Sequence, residues 1–357
     1  MKEVISEAFG RVNLIGEHTD YNGGWVLPTA IPQKTIVHLR TREDRKVIAH
    51  SLQAKKLSPP TENYQLGQEK LTHTWLDYIQ GVTSILLKEG FQFSGFEIQI
   101  DSQVPIGSGL SSSAALEVSF LKALRTAFSL QLPDLHLAQI GRRAENEFVG
   151  AQVGIMDQMA CTLAKSGEAL FLDTKTLQYE QVPLPLNQME LIVINSGLSH
   201  QNSDGGYNQR RAECEEACSL LKIKQLRELQ LEDLPRLEKL PEVLKRRARH
   251  VITENNRVHE AVKAIRTHNL PYLGELFAQS HQSMKNDYQV SIPAIDYLVQ
   301  LATEDKNIFG ARLTGGGFGG SIVAIAKPGH GLDSAEKIKK IYDQQSKAQA
   351  TILVPQA

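Results

Sequence analysis

The segment from Phe96 to Leu124 constrains the fold more than any other stretch. Phe96-Glu97-Ile98-Gln99-Ile100 alternates apolar and polar residues with the two-residue period of a half-buried strand. A loop, Pro105-Ile106-Gly107-Ser108-Gly109-Leu110-Ser111-Ser112-Ser113, follows it, and Ala114, Ala115, Val118, Leu121 and Leu124 then recur at helical spacing. Strand, Gly/Ser loop and helix in that order place the chain in the mixed α/β class. The loop offers what a triphosphate needs: backbone that a ligand can approach closely, unpaired N–H groups, and the positive end of a helix dipole. A tight turn with serine capping is the other reading of the same residues. A Walker A loop is excluded because no Gly-Lys-Ser/Thr follows, and the glycine spacing excludes a dinucleotide fingerprint.

A second cluster, Gly315-Gly316-Gly317-Phe318-Gly319-Gly320, satisfies Gly-x-Gly-x-x-Gly, but the strand-like Ile322-Val323-Ala324-Ile325-Ala326 follows where a dinucleotide site needs a helix. The His-Arg-Asp and Asp-Phe-Gly triplets of protein kinases are absent from the sequence. The cluster reads as a turn between strands that lets backbone approach a ligand or another loop.

Elsewhere, Ile36, Val37 and Leu39, then Val47 and Ile48, flank the charged run Arg40 to Lys46, as two strands joined by a solvated turn would. Leu191-Ile192-Val193-Ile194 reads as a strand opening the second half, which puts a domain boundary near Leu186. From about Tyr207 to Leu270 the pattern is helical, with Cys214, Ala217, Cys218 and Leu221 on one stripe. Cys214 and Cys218 lack further ligands for a metal and read as buried core thiols.

Gly10-Arg11-Val12-Asn13-Leu14-Ile15-Gly16-Glu17-His18-Thr19-Asp20-Tyr21-Asn22-Gly23-Gly24 is denser in polar side chains than folding requires. Its mixture of bidentate groups and dual donor/acceptor groups suits the hydroxyls of a sugar. A metal site on Glu17, His18 and Asp20 is the weaker alternative, because adjacent side chains diverge and no further histidine cluster completes the set.

At 357 residues the chain is longer than single cores usually grow, so two domains are expected. The net charge of −1 supplies no basic field for a phosphate backbone and argues against nucleic acid as a partner. Three cysteines and no signal-peptide pattern at Met1-Lys2-Glu3-Val4 point to the reducing cytoplasm, and no apolar run is long enough to span a membrane.

Three of these segments together resemble one family. Gly10 to Gly24 resembles the galactokinase signature, Pro105 to Ala115 the phosphate-loop motif of the GHMP kinases, and Leu313 to Gly320 their third, glycine-rich motif. Trp75 to Gly81, Gly154 to Gln158, His250 to Val258 and Ser280 to Ser291 agree in the same order, so the likeness spans nearly the whole chain. The resemblance implies a two-domain GHMP kinase architecture of mixed α/β (α+β) class. In it, an N-terminal ribosomal-protein-S5-like domain covers residues 1–185 and a C-terminal α+β domain covers residues 186–357, with the active site in the cleft between them.

It further implies an ATP-dependent sugar 1-kinase that makes galactose 1-phosphate by direct in-line transfer, with ATP and Mg²⁺ as cofactors. Arg11 and Asp157 would face the reacting hydroxyl, and Glu17, His18, Asp20, Gly154 and Tyr207 would hold the remaining hydroxyls. The loop Gly107, Ser108, Gly109, Leu110, Ser111, Ser112 and Ser113 would wrap the phosphates, Ser113 and Glu145 would hold Mg²⁺, and Trp75 would lie near the adenine. Glu147 competes with Glu145 for the metal role. Taken singly, Asp157 would read as a helix cap, Trp75 as core and Tyr207 as the start of an amphipathic helix. A monomer is expected, with a weak dimer as the alternative.

Two positions depart from the family pattern: Phe9 stands where galactokinases usually have proline, and Gly206 where they commonly have an acidic residue. Competing readings are a kinase of a hexosamine, arabinose or a uronic acid, and a sensor that binds sugar and ATP without turnover. A uronic acid should require an additional cation, and the sensors carry a lesion in the Ser-Ala part of the loop, which is intact here as Ser112-Ser113-Ala114-Ala115.

Overall fold

The computed structural model describes residues 2–54, 59–198 and 203–354, and groups them into two compact units. The first comprises Met1–Arg11, Ile31–Ile106 and Ser111–Leu163; the second comprises Val12–Ala30, Gly107–Leu110 and Ala164–Ala357.

In the first unit the part of the strand Pro28–Thr41 that follows Ala30 pairs antiparallel with Phe96–Ser102, from Thr35 opposite Ser102 to Thr41 opposite Phe96. Lys46–Ser51 then adds in parallel on the other side of Phe96–Ser102, and Thr61–Gln65 pairs antiparallel with Lys46–Ser51. Period-two patterning explains the register: Val37, Leu39, Val47, Ala49, Phe96, Ile98 and Ile100 all bury one face. The expected charged turn is present between the two strands at Arg42–Arg45. Helices Leu76–Lys88, Ser112–Phe128, Asp134–Arg143 and Met156–Leu163 complete the unit. The apolar stripe read in the sequence, Ala114, Ala115, Val118, Leu121 and Leu124, is fully buried.

The second unit holds a four-stranded antiparallel sheet in the order Ile308–Thr314, Ser321–Ala326, Glu190–Asn195, Thr351–Val354. The expected strands at Leu191–Ile194 and Ile322–Ala326 are its two central members, and the glycine cluster is the turn joining Ile308–Thr314 to Ser321–Ala326. The helical region is less continuous than periodicity indicates. Ser203–Leu221 and Glu242–Arg266 are α-helices, but Leu226–Glu228 and Leu231–Lys239 between them are 3₁₀ turns. Pro235 and Pro241, which lack a backbone donor, account for the interruption. Cys214 and Cys218 are buried in this unit's core, as expected, and Cys161 is buried in the first unit. Among the described residues, no helix is long and apolar enough to cross a membrane.

Candidate active site

Arg11 lies on the strand Glu3–Asn13, and Asp157 lies in the first turn of the helix Met156–Leu163, where the helix dipole favours a carboxylate. The two belong to the same unit and are joined by hydrogen bonds from Arg11 Nε (2.9 Å) and Nη2 (2.6 Å) to Asp157 Oδ1. Arg11 is buried, while the Asp157 side chain keeps 29% of its surface, so the pair is anchored on one side and accessible on the other. Both donors fall on Oδ1, and Oδ2 takes no part in the pair.

Gln158, the next residue of the same helix, is fully buried in the unit's interior. Its Nε2 donates to Glu117 (3.1 Å) and to Glu145 (3.3 Å), both of which are buried. Burial pushes the Glu145 carboxyl up to about 7, with the Ser113 hydroxyl donating to it and Asp157 adding repulsion. Burial also raises Glu117 well above the ordinary carboxyl range, and Glu145 reinforces the shift. Among the described residues no Lys, Arg or His pairs with Glu145. A buried carboxylate of this kind, with a serine hydroxyl beside it, suits Mg²⁺, which usually takes one or two carboxylates and completes its shell with phosphate oxygens and water. No group of three or more His, Cys, Asp or Glu that could hold a metal ion occurs among the described residues. Glu147 is exposed and engaged by Arg143 at 2.6 Å, which leaves Glu145 the better metal candidate.

The loop preceding the Ser112–Phe128 helix is built from left-handed backbone, with φ of 70° at Gly107, 76° at Gly109 and 62° at Ser111. Ser111 makes no side-chain cap, so the first amides of the helix are not spent on it. Beside the helix start lies a cavity of about 520 Å³ in the first unit, lined by Leu71, His73, Trp75, Ile106, Ser112 and Ser113 among others. That volume is in the range of small-molecule sites. Asp77 shapes one wall of it: its carboxylate accepts from the backbone N–H of Thr72 (2.8 Å) and His73 (2.7 Å) and from the Thr72 hydroxyl (2.7 Å). Asp77 is not among the residues singled out in the sequence, but an acid in the first turn of a helix is the usual partner of such loop amides.

In the second unit, Glu17, His18 and Tyr207 come together with two tyrosines that the sequence reading left without a role. Glu17 Oε1 accepts from Thr314 Oγ1 (3.1 Å) and the Gly315 N–H (2.8 Å), and Oε2 accepts from Asn13 Nδ2 (3.0 Å). Its carboxylate therefore ties the first motif to the third. The His18 ring lies 5.4 Å from that of Tyr207 and 4.7 Å from that of Tyr288. Asp20 opens a short 3₁₀ turn in the same segment and is half-buried. Gly154 is buried in the first unit, three residues before Asp157. A Cβ on Gly206, a departure from the family pattern, would meet the Phe318 ring at 2.7 Å, so a side chain here requires that ring to shift.

Comparison with known proteins covers the same segments. Residues 1–41 match the galactokinase galactose-binding signature, residues 77–165 the GHMP kinases N terminal domain, and residues 261–347 the GHMP kinases C terminal model. A galactokinase of Thermotoga neapolitana is 41% identical over 97% of this chain and 95% of its own length. A galactokinase of Thermosipho africanus is 41% identical over 95% of this chain and 92% of its own. Among solved structures, Lactococcus lactis galactokinase complexed with galactose superposes with a TM-score of 0.94 at 35% identity, over 98% of this chain and 92% of that one. A Methanococcus jannaschii mevalonate kinase shares the fold, with a TM-score of 0.71 at 18% identity over 98% of each chain.

Proposed function

Because the chain belongs to the galactokinases, within the two-domain GHMP kinase fold, we propose that it transfers the γ-phosphoryl group of ATP to the C1 hydroxyl of galactose. The observation that carries this reading is the Arg11–Asp157 pair, which belongs to the same unit as the start of the phosphate-loop helix and its cavity.

Phosphoryl transfer asks a protein for positioning and for neutralisation of charge, and little covalent work. Asp157 accepts a hydrogen bond from the C1 hydroxyl on Oδ2, polarises it, and takes its proton late, as the bond to phosphorus forms. Arg11 holds that carboxylate in place through Oδ1 and adds positive field where charge develops. Glu17, His18, Asp20, Gly154 and Tyr207 hold the other hydroxyls. The backbone of Gly107 to Ser113 cradles the phosphates, and the apolar walls at Leu71, Trp75 and Ile106 take the adenine. When bound, Mg²⁺ held by Ser113 and Glu145 would neutralise phosphate charge. The same reading takes the enzyme as a cytoplasmic monomer that meets only galactose and MgATP.

The test is ADP release with MgATP across galactose, a hexosamine, arabinose and a uronic acid. Galactose well above the rest supports the reading. Preference for another sugar moves the assignment within the sugar kinases, and silence on all four with binding retained makes the chain a sensor.

A further inference from the structure

Behind His18 the second unit buries a chain of hydrogen-bonding groups that the phosphoryl transfer does not use. His18 Nδ1 lies 2.8 Å from the Tyr21 hydroxyl, that hydroxyl 2.8 Å from the Tyr288 hydroxyl, and Tyr288 Oη 3.1 Å from Cys214 Sγ. All four residues belong to the second unit. The His18 side of the chain is held in a conformation that L-residues rarely adopt, with φ of 62°, so the ring is placed there by its surroundings. His18 is 4% exposed, and its second nitrogen, Nε2, is buried and makes no hydrogen bond of good geometry among the described residues, although the Gly316 backbone lies close enough to the ring to favour a hydrogen on it.

A chain of this kind has two orientations. In one, the Cys214 thiol donates to Tyr288, Tyr288 to Tyr21, and Tyr21 to the imidazole nitrogen. In the other every hydrogen is reversed, and the chain ends with a phenol donating to sulfur. A phenol is a good donor and an unprotonated imidazole nitrogen a good acceptor, whereas sulfur is a weak acceptor, so the first orientation contains the strongest link available.

We infer that Tyr288 and Tyr21 are positioning residues that aim a hydroxyl hydrogen at His18 Nδ1, fixing the ring as the neutral tautomer that carries its hydrogen on Nε2 and presents it to a sugar oxygen. Which nitrogen of a histidine carries the hydrogen is set by the bond the other nitrogen makes. The site is thereby committed to an acceptor at that position of the sugar: a hydroxyl or ring oxygen fits, and an ammonium group, which has no acceptor, does not. Only the identity of the ligand rests on the galactokinase reading; the tautomer does not.

The experiment is ¹⁵N NMR of the full chain labelled at histidine, with a His18→Gln variant to assign the resonance, alongside kinetics of Tyr21→Phe. The parent protein without ligand is expected to show the hydrogen on Nε2. Tyr21→Phe is expected to mix the two tautomers and to raise the galactose KM about tenfold, the worth of one neutral hydrogen bond, with kcat and the ATP KM nearly unchanged. Hydrogen on Nδ1 in the parent overturns the inference, as does a Tyr21→Phe variant whose tautomer and galactose KM match the parent. Should Tyr21→Phe fail to fold, Tyr288→Phe breaks the next link and must shift the Nδ1 resonance; an unmoved resonance again overturns it. A parent that shows the expected tautomer but does not phosphorylate galactose sinks the substrate reading and leaves the relay standing.

Discussion

Arg11 and Asp157, 146 residues apart, are joined through a single carboxylate oxygen: Nε and Nη2 of the arginine both donate to Oδ1. The arrangement immobilises the acid without spending Oδ2, and it predicts the behaviour of the amide. Asp157→Asn keeps the shape, loses the charge and cannot take a proton. Its kcat is expected to fall by about 10³-fold or more, while galactose and ATP still bind by calorimetry. Turnover within about tenfold of the parent would remove Asp157 from the chemistry.

Glu17 and Asp20 stand three residues apart in the first motif but are predicted to differ. The Glu17 carboxylate is already engaged by Asn13, Thr314 and Gly315, so Glu17→Gln should lower the melting temperature as well as weaken sugar binding. Asp20→Asn, at a half-buried position, should raise the galactose KM about ten- to a hundredfold with kcat near the parent. Unchanged galactose saturation in both variants would remove the two acids from sugar binding.

Much of this site was legible in the sequence because its motifs are local. The strand, loop and helix from Phe96 to Leu124, the polar run from Gly10 to Gly24 and the third glycine cluster each carry their signal within a few consecutive residues. What was not legible is what depends on contacts between distant segments. Tyr21 and Tyr288 meet across 267 positions, and nothing in the composition around either residue announces the other. Gln158 is a plain polar residue in the sequence; its task appears only once Glu117 and Glu145 are seen on either side of its amide. The grouping of Val12–Ala30 and Gly107–Leu110 with the second unit likewise rests on contacts that hydrophobic periodicity does not encode.

The two glycine clusters, read separately in the sequence, touch in the second unit. A Cβ on Gly315, whose φ is 87°, would lie 2.8 Å from the Gly109 carbonyl oxygen and 2.9 Å from its Cα. Gly315→Ala is therefore expected to cost about 1–3 kcal/mol of stability and to raise the ATP KM by displacing the phosphate loop. Gly316→Ala is the control, since among the described residues a Cβ there meets only the Tyr207 ring, at 3.6 Å. Denaturant midpoints and ATP saturation of the pair decide the matter: equal effects in both variants would mean that the Gly109 contact does not set the loop.

Buried histidines give the protein a calculable acid sensitivity. Burial pushes His18 down to about 3 and His250 down to about 4, the former helped by repulsion from His250, the latter partly opposed by Glu254. The unfolded chain takes up these protons near pH 6.5 while the folded chain does not, so their contribution to stability is present above 6.5 and is lost as pH falls toward 4. Glu145, pushed up to about 7, and the raised Glu117 act in the opposite sense, because the folded chain holds their protons more tightly than the unfolded chain does. The parent's own slope is therefore a sum of opposing parts, and the informative quantity is its difference from a variant that cannot titrate at one position. His250→Gln should be less stable than the parent at pH 7.5, because the bonds of His250 to Ser283 (2.9 Å) and to the Glu17 carbonyl (3.1 Å) are disturbed. That gap should close by about 2–3 kcal/mol between pH 7 and pH 4.5, as the parent alone bears the cost of keeping His250 neutral. Urea titrations of both proteins across that range measure it, and a gap that stays constant with pH would mean that His250 titrates in the folded protein as it does in the unfolded chain.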